Sequence, residues 1–146
     1  MKKTILTVIV IFFCMGAFSQ ITCNKLFEVV DAVKNLSIKG KQINKNYWES
    51  TIVLDEQIDS YISIDDEVEE ASFIFLETYS ETEAINKFKE LKKLLEKCKP
   101  NDWGERNSEK AYSIHKDRFT VVAYYYYGTK SNPGYTVQIM FSLDIY

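Results

Sequence analysis

The residue types that most often perform catalysis are scarce in this chain. His115 is the only histidine, and a catalytic triad or dyad would need it beside a nucleophile and an orienting carboxylate. Asp117 lies two positions further on, and strand neighbours at that spacing merely share a face. The chain contains no Gly-x-Ser-x-Gly nucleophile elbow and no glycine-rich phosphate loop. The sequence therefore predicts a surface or turn histidine in a protein that is not an enzyme.

Metal and cofactor sites are not predicted either. One histidine and the separated cysteines Cys23 and Cys98 cannot supply a zinc ligand set at the usual spacing. The acidic run from Asp65 to Glu70 lacks the alternating Asp or Asn residues and the central glycine of a calcium loop. We interpret this run as a solvated acidic turn, or as a negatively charged segment that attracts a basic partner. We therefore predict that the chain has no catalytic residues, no metal ligands and no cofactor.

Aromatic residues are the feature that points to a function. Residues 124–127 are four consecutive tyrosines, and a strand must send two of them to each face. If helices cover one side of the sheet, some aromatic residues must meet solvent or a partner. Tyrosine is enriched in recognition surfaces, although it also suits any pleated surface. The predicted partner-binding residues are Phe73, Phe75, Tyr124, Tyr125, Tyr126 and Tyr127.

Residues 1–19 have the three-part layout of a secretory signal peptide. Two lysines open it, an uncharged apolar run follows at residues 5–13, and small residues precede a cleavage site at Gln20. The apolar run is shorter than the roughly 20 residues of a spanning helix, and the residues before Cys23 do not match a lipidation site. We therefore expect export to the periplasm or the extracellular space, with no stable membrane insertion after cleavage.

The mature chain, residues 20–146, has the length of one domain. Cleavage removes two of the 18 basic residues and none of the 21 acidic ones, which leaves a net charge of −5. Arg106 and Arg118 are its two arginines. This balance argues against binding to nucleic acid and to anionic lipid headgroups. The expected partner is a protein, and the oligomeric state stays open.

The mature chain keeps two cysteines, Cys23 and Cys98. In an exporting compartment an even pair favours one disulfide bond. The alternative is two buried thiols, because free cysteine packs well as a small apolar residue. A bond between them would stabilise the fold by roughly 4 kcal/mol on the loop-entropy description.

Two amphipathic helices are predicted from apolar residues at three- and four-residue steps. The first covers residues 24–37, carries its apolar stripe from Leu26 to Leu36, and is expected to end at Gly40. The second covers residues 81–97 and begins with a Ser-x-x-Glu capping box at Ser80.

Alternation and β-branched or aromatic content predict the strands. Their expected ranges are 47–54, 58–64, 71–79, 111–116, 118–127 and 135–145. The fold class is therefore α+β, with two amphipathic helices packed on one face of a four- to six-stranded antiparallel sheet. The order helix, two or three strands, then the same again suggests a duplicated αββ unit. In a twofold arrangement of the two units, Cys23 at the start of the first helix lies near Cys98 at the end of the second.

The order of the elements resembles that of small secreted inhibitory proteins of the β-lactamase-inhibitor type. The resemblance rests on element order alone, and it implies an open sheet face presented to a partner. We therefore expect an exported, non-catalytic binding module, such as an inhibitor, an immunity-type protein or an envelope accessory protein, that engages a protein through an aromatic sheet face. The alternative is a carrier of a small apolar or lipid ligand held between sheet and helices.

Overall fold

The computed structural model describes residues 21–65 and 68–144, and the predicted signal peptide, residues 1–19, lies outside them. The described chain forms two helices and eight strands. In chain order they are α1 (Cys23–Lys34), β1 (Lys39–Asn44), β2 (Tyr47–Ser50), β3 (Asp59–Ile64), β4 (Val68–Thr78), α2 (Glu81–Cys98), β5 (Gly104–Asn107), β6 (Ala111–Lys116), β7 (Phe119–Tyr127) and β8 (Tyr135–Asp144).

The eight strands form one antiparallel sheet with the order β1-β2-β3-β4-β8-β7-β6-β5. Each half of the chain is one helix followed by four strands, and the halves join where Phe73 of β4 lies opposite Ile139 of β8. The α+β class and the two helices are thus confirmed. The expected four to six strands are corrected to eight, and each half has the order αββββ rather than αββ.

The two strands missing from the prediction, β1 and β5, are the edges of the sheet. All four residues of β5 are exposed, and so is every residue of β1 except the half-buried Lys39. Side chains that meet solvent on both faces leave no alternation for a pattern to detect. Backbone pairing with β2 and β6 holds both edges in place.

The first helix ends at Lys34, earlier than expected. Leu36 adopts a left-handed conformation with φ of 54°, and the N–H of Ser37 donates to the carbonyl of Ala32 at 2.9 Å. This is the closing bond of a Schellman motif, whose left-handed position is usually a glycine. Leu36 therefore leaves the apolar stripe and is exposed, while Gly40 lies within β1 instead of ending the helix.

The second helix matches the prediction to within one residue. The Ser80 side chain accepts the N–H of Glu83 at 3.3 Å. The Glu83 carboxylate accepts the Thr78 hydroxyl at 2.6 Å, so Thr78 takes the place that the backbone of Ser80 has in a standard capping box. The predicted apolar stripe is buried at Ala84, Phe88, Leu91, Leu95 and Cys98.

The core lies between the helices and one face of the sheet. Both helices contact β4 and β8, and α2 also contacts β6 and β7. On the central strands alternate side chains are fully buried against the helices, namely Ala71, Phe73, Val121, Ala123, Ile139 and Phe141. The side chains between them lie on the opposite face, which neither helix covers.

Cys23 at the first position of α1 and Cys98 at the last position of α2 form a disulfide bond, with their Cα atoms 5.2 Å apart. The predicted pairing is therefore confirmed. So is the expectation that these two helix ends meet.

The end of the acidic run is strand rather than turn, because β4 begins at Val68. Glu69 points into the core between its cross-strand neighbours Ile64 and Leu143. It is 0% exposed, and neither carboxylate oxygen has a hydrogen-bond partner among the described residues. Burial raises the pKa of Glu69, and Lys39 lowers it in part. The fold therefore favours the protonated form.

We expect Glu69→Leu to raise the free energy of unfolding at pH 7 by about 1–3 kcal/mol, because it removes an unsatisfied buried group. Unfolded Glu69 loses its proton near its ordinary pKa of 4.5, and the folded residue does so at higher pH. The folded state then binds more protons, so wild-type stability falls as pH rises through that window.

Urea unfolding at pH 4 and pH 7 measures this effect. The advantage of Glu69→Leu over the wild type should grow from pH 4 to pH 7. The control is Glu77→Leu, since Glu77 is exposed on the same strand and should show no such growth. A constant advantage of Glu69→Leu at both pH values would contradict the assignment.

Candidate functional site: the open face of the sheet

The sheet face opposite the helices, called the open face below, is rich in tyrosine and hydroxyl side chains. Directly paired residues of antiparallel strands share a face, and this register defines its members. They are Tyr47, Asp59, Tyr61, Ser63, Val68, Glu70, Ser72, Ile74, Glu77, Arg106, Ala111, Ser113, His115, Thr120, Val122, Tyr124, Tyr126, Thr136, Gln138, Met140, Ser142 and Asp144. Tyrosine and serine also predominate in antibody binding loops, where tyrosine supplies rigid contact area and serine supplies adaptable hydrogen bonds.

The four consecutive tyrosines alternate along β7, two to each face, as predicted. Tyr124 and Tyr126 lie on the open face, where their rings stack with centroids 5.9 Å apart. Tyr126 is 42% exposed. Tyr125 and Tyr127 are on the helix side; Tyr127 is exposed at the strand end, with its ring 5.0 Å from that of Tyr135.

Three of the predicted partner-binding residues lie in the core. Phe73 packs edge-on against Phe141 with centroids 5.6 Å apart, and Tyr125 packs against Phe88 of α2 at 5.5 Å. Phe75 is buried in the same cluster. Because side chains beneath the helices cannot reach a partner in this fold, they do not belong to the open face. The predicted residues that do belong to it are Tyr124 and Tyr126.

Two tyrosines outside the predicted set also lie on the open face. Tyr47 of β2 and Tyr61 of β3 pack together with ring centroids 5.8 Å apart. Ile62, the residue after Tyr61 on β3, is fully buried on the helix side. The alternation around Ile62 is the sequence signal that could have assigned Tyr61 to the open face.

Gln138 of β8 occupies the centre of the open face and is only 2% exposed. Its Nε2 donates to the Tyr124 hydroxyl, which in turn donates to Sδ of Met140 at 3.9 Å. Its Oε1 has no hydrogen-bond partner within the described ranges, which is uncommon for a buried acceptor. Burial raises the pKa of Tyr124 to about 12, so its hydroxyl keeps its proton near neutral pH.

Asp59 of β3 and Glu70 of β4 are carboxylates of the open face. Glu77 of β4 also lies on this face, opposite Thr136. Burial raises the pKa of Glu70, the charge of Asp65 raises it further, and a hydrogen bond from Ser63 lowers it. Neither Asp59 nor Glu70 forms an ion pair within residues 21–65 and 68–144. This part of the open face therefore carries negative charge with no positive side chain bound to it.

His115 of β6 lies on the open face, and its ring packs so closely over Gly104 that a Cβ there would be 2.4 Å from Nε2. Thr120 is its direct neighbour on β7. The described residues hold no group of three or more His, Cys, Asp or Glu side chains placed to bind a metal ion.

A groove of about 640 Å³ lies on the other side of the molecule, along α2. Its apolar lining comes from Ile21, Leu91 and Leu94, and lysines surround it. One of these, Lys87, pairs with Glu56 at 2.7 Å. The groove is outside α2, whereas the space between sheet and helices is filled by the core.

Neither helix in the described part of the chain is long and apolar enough to cross a membrane. The described residues form two candidate binding surfaces, the open face and the groove along α2. Comparison of the chain with protein-family models, with curated proteins and with solved structures finds no significant match.

Proposed function

We propose that the mature chain is an exported, non-catalytic binding module that engages a protein partner through the open face. One observation carries the proposal: four tyrosines lie among serine and threonine side chains on a sheet face that neither helix covers. Tyrosine gives a large contact area and a hydroxyl for little loss of conformational entropy. Such a surface on a rigid sheet is already ordered before binding, which favours affinity.

The size of the open face supports the same function. Eight strands at about 4.8 Å spacing span roughly 34 Å, and the ten residues of β8 extend roughly 33 Å. A standard protein–protein interface needs about 800 Å² from each partner. The open face is therefore large enough to form an interface alone.

Export is supported by two observations. Disulfide bonds persist mainly in oxidising compartments outside the cytosol, and the chain contains the Cys23–Cys98 bond. The sequence of residues 1–19 predicts a signal peptide that directs the chain there. The partner is accordingly a protein of the periplasm, the envelope or the extracellular fluid.

Affinity capture tests the proposal. Tagged mature chain, residues 20–146, is incubated with native envelope and culture fluid, and retained proteins are identified by mass spectrometry. We expect one dominant stoichiometric protein. Tyr124→Ala/Tyr126→Ala should weaken its binding at least about 100-fold, because central interface tyrosines commonly contribute 2 kcal/mol or more each.

The matched control is Asn86→Ala/Lys89→Ala, two exposed positions on α2. This variant should retain the partner, and circular dichroism should show both variants folded. Unchanged capture by the folded Tyr124→Ala/Tyr126→Ala variant would refute binding through the open face.

A second candidate function, carriage of a small apolar or lipid ligand, is favoured by the groove along α2. Leu91 and Leu94 offer an apolar wall, and Lys93 and Lys97 offer positive charge, a combination that suits an acyl chain with an acidic head. Native mass spectrometry of the purified mature protein should then show a co-purifying ligand. A mass equal to the protein alone would count against this function.

A further inference from the structure

The part of the open face on β3 and β4 is acidic and aromatic. Tyr61 of β3 has Asp59 two residues before it on the same face, and Glu70 lies diagonally across on β4. Tyr47 of β2, on the side of β3 away from β4, packs against Tyr61 with ring centroids 5.8 Å apart. Neither β3 nor β4 contains a lysine, an arginine or a histidine. The charges of this region therefore stay unbalanced within the described chain.

The neighbouring Gln138 supplies an independent observation. In the register of the sheet, Asp59 lies opposite Ile74, and Ile74 lies opposite Gln138. Asp59 and Gln138 are therefore in one row, two strands or roughly 10 Å apart. The Oε1 of Gln138 is buried without a donor, and an unsatisfied acceptor of this kind is destabilising by about 1–3 kcal/mol. A donor supplied from outside the chain would remove that penalty.

We infer that the open face binds a lysine or arginine side chain of its protein partner at the site formed by Asp59, Tyr61, Glu70 and Gln138. This inference rests on the proposed function and names the chemistry that the partner presents. The cation lies against the Tyr61 ring between Asp59 and Glu70, the charges of these two carboxylates attract it from either side, and its N–H groups donate to Asp59 and to Oε1 of Gln138. Cations are attracted to tyrosine faces within about 6 Å.

Charge complementarity selects a cation over other groups. An anionic group would meet two unpaired carboxylates, and like charges brought together at an interface are strongly unfavourable. A neutral apolar group would bury the charges of Asp59 and Glu70 further and leave Oε1 of Gln138 without a donor. A guanidinium or ammonium satisfies both, since it carries several donors and a positive charge.

The test uses n-butylguanidinium chloride as the probe and n-butylurea as its neutral isostere. Each is titrated into ¹⁵N-labelled mature protein at pH 7 and low salt, and backbone amide shifts are followed. We expect the guanidinium to shift the amides of Asp59, Tyr61, Glu70 and Gln138, with an affinity at least about fivefold above that of the urea. Equal affinity for the two probes, or shifts confined to other surfaces, would overturn the inference.

Two charge-matched variants complete the experiment. Asp59→Asn/Glu70→Gln should lower guanidinium affinity at least about fivefold and weaken capture of the protein partner. Asp31→Asn/Glu81→Gln removes the same charge from exposed positions on the two helices and should change neither. If the partner depends on Tyr124 and Tyr126 yet binds Asp59→Asn/Glu70→Gln unchanged, the cation site is refuted and the proposed function stands. If the guanidinium binds as expected but no partner depends on those tyrosines, the proposed function fails while the site remains.

Discussion

Tyr125→Ala should lower the free energy of unfolding by about 3–5 kcal/mol, whereas Tyr126→Ala should lower it by less than about 1 kcal/mol. The two residues are adjacent in β7 and differ in the face they occupy. Tyr125 is 4% exposed, and its ring packs against those of Phe88 at 5.5 Å and Tyr135 at 6.4 Å. Removing it leaves a cavity beneath α2, while removing Tyr126 opens no cavity.

Urea unfolding followed by circular dichroism measures both variants against the wild type. The pair is its own control, because the chemical change is the same at neighbouring positions. Similar losses at the two positions would mean that residues 124–127 do not alternate between the core and the open face.

Removal of the Cys23–Cys98 disulfide should lower the free energy of unfolding by about 4 kcal/mol, and the melting temperature by about 15 °C. The bond joins residues 75 apart in sequence and links the start of α1 to the end of α2. Its loss frees a long loop in the unfolded chain, so the unfolded state gains entropy. Thermal melts of Cys23→Ala/Cys98→Ala measure the effect.

The wild type melted in excess reductant provides a matched control without a change of sequence. Its melting temperature should fall to that of the double variant. A decrease of less than about 1 kcal/mol in both samples would show that packing of the helices, rather than the disulfide, holds their ends together.

The helices and the central strands could be predicted because one side of each faces the core. The stripe from Ala84 to Cys98 repeats every three to four residues, and the residues of β8 from Tyr135 to Leu143 place an apolar side chain at every second position. These two periods predict which side chains face the core. The edge strands β1 and β5 could not be predicted in this way. Their side chains meet solvent, and the backbone pairing that holds them is independent of side-chain pattern.

The candidate site was predictable in part. Alternation required two of the four tyrosines to lie on each face, and the apolar positions Phe119, Val121 and Ala123 could have assigned Tyr125 to the core. Burial of Phe73 was harder to predict from the sequence, because both faces of β4 carry apolar side chains. The unpaired Oε1 of Gln138 depends on how side chains from several strands pack around it, and no sequence pattern encodes that.

Site-specific photocrosslinking from the open face tests the central claim most directly. p-Benzoylphenylalanine is introduced at Val122, which lies on the open face opposite Met140, and separately at Lys89, which is exposed on α2. Each protein is expressed in its native host and irradiated. We expect a single protein adduct from position 122 and none from position 89. An adduct from position 89 alone, or no protein adduct from either, would contradict binding of a protein partner through the open face.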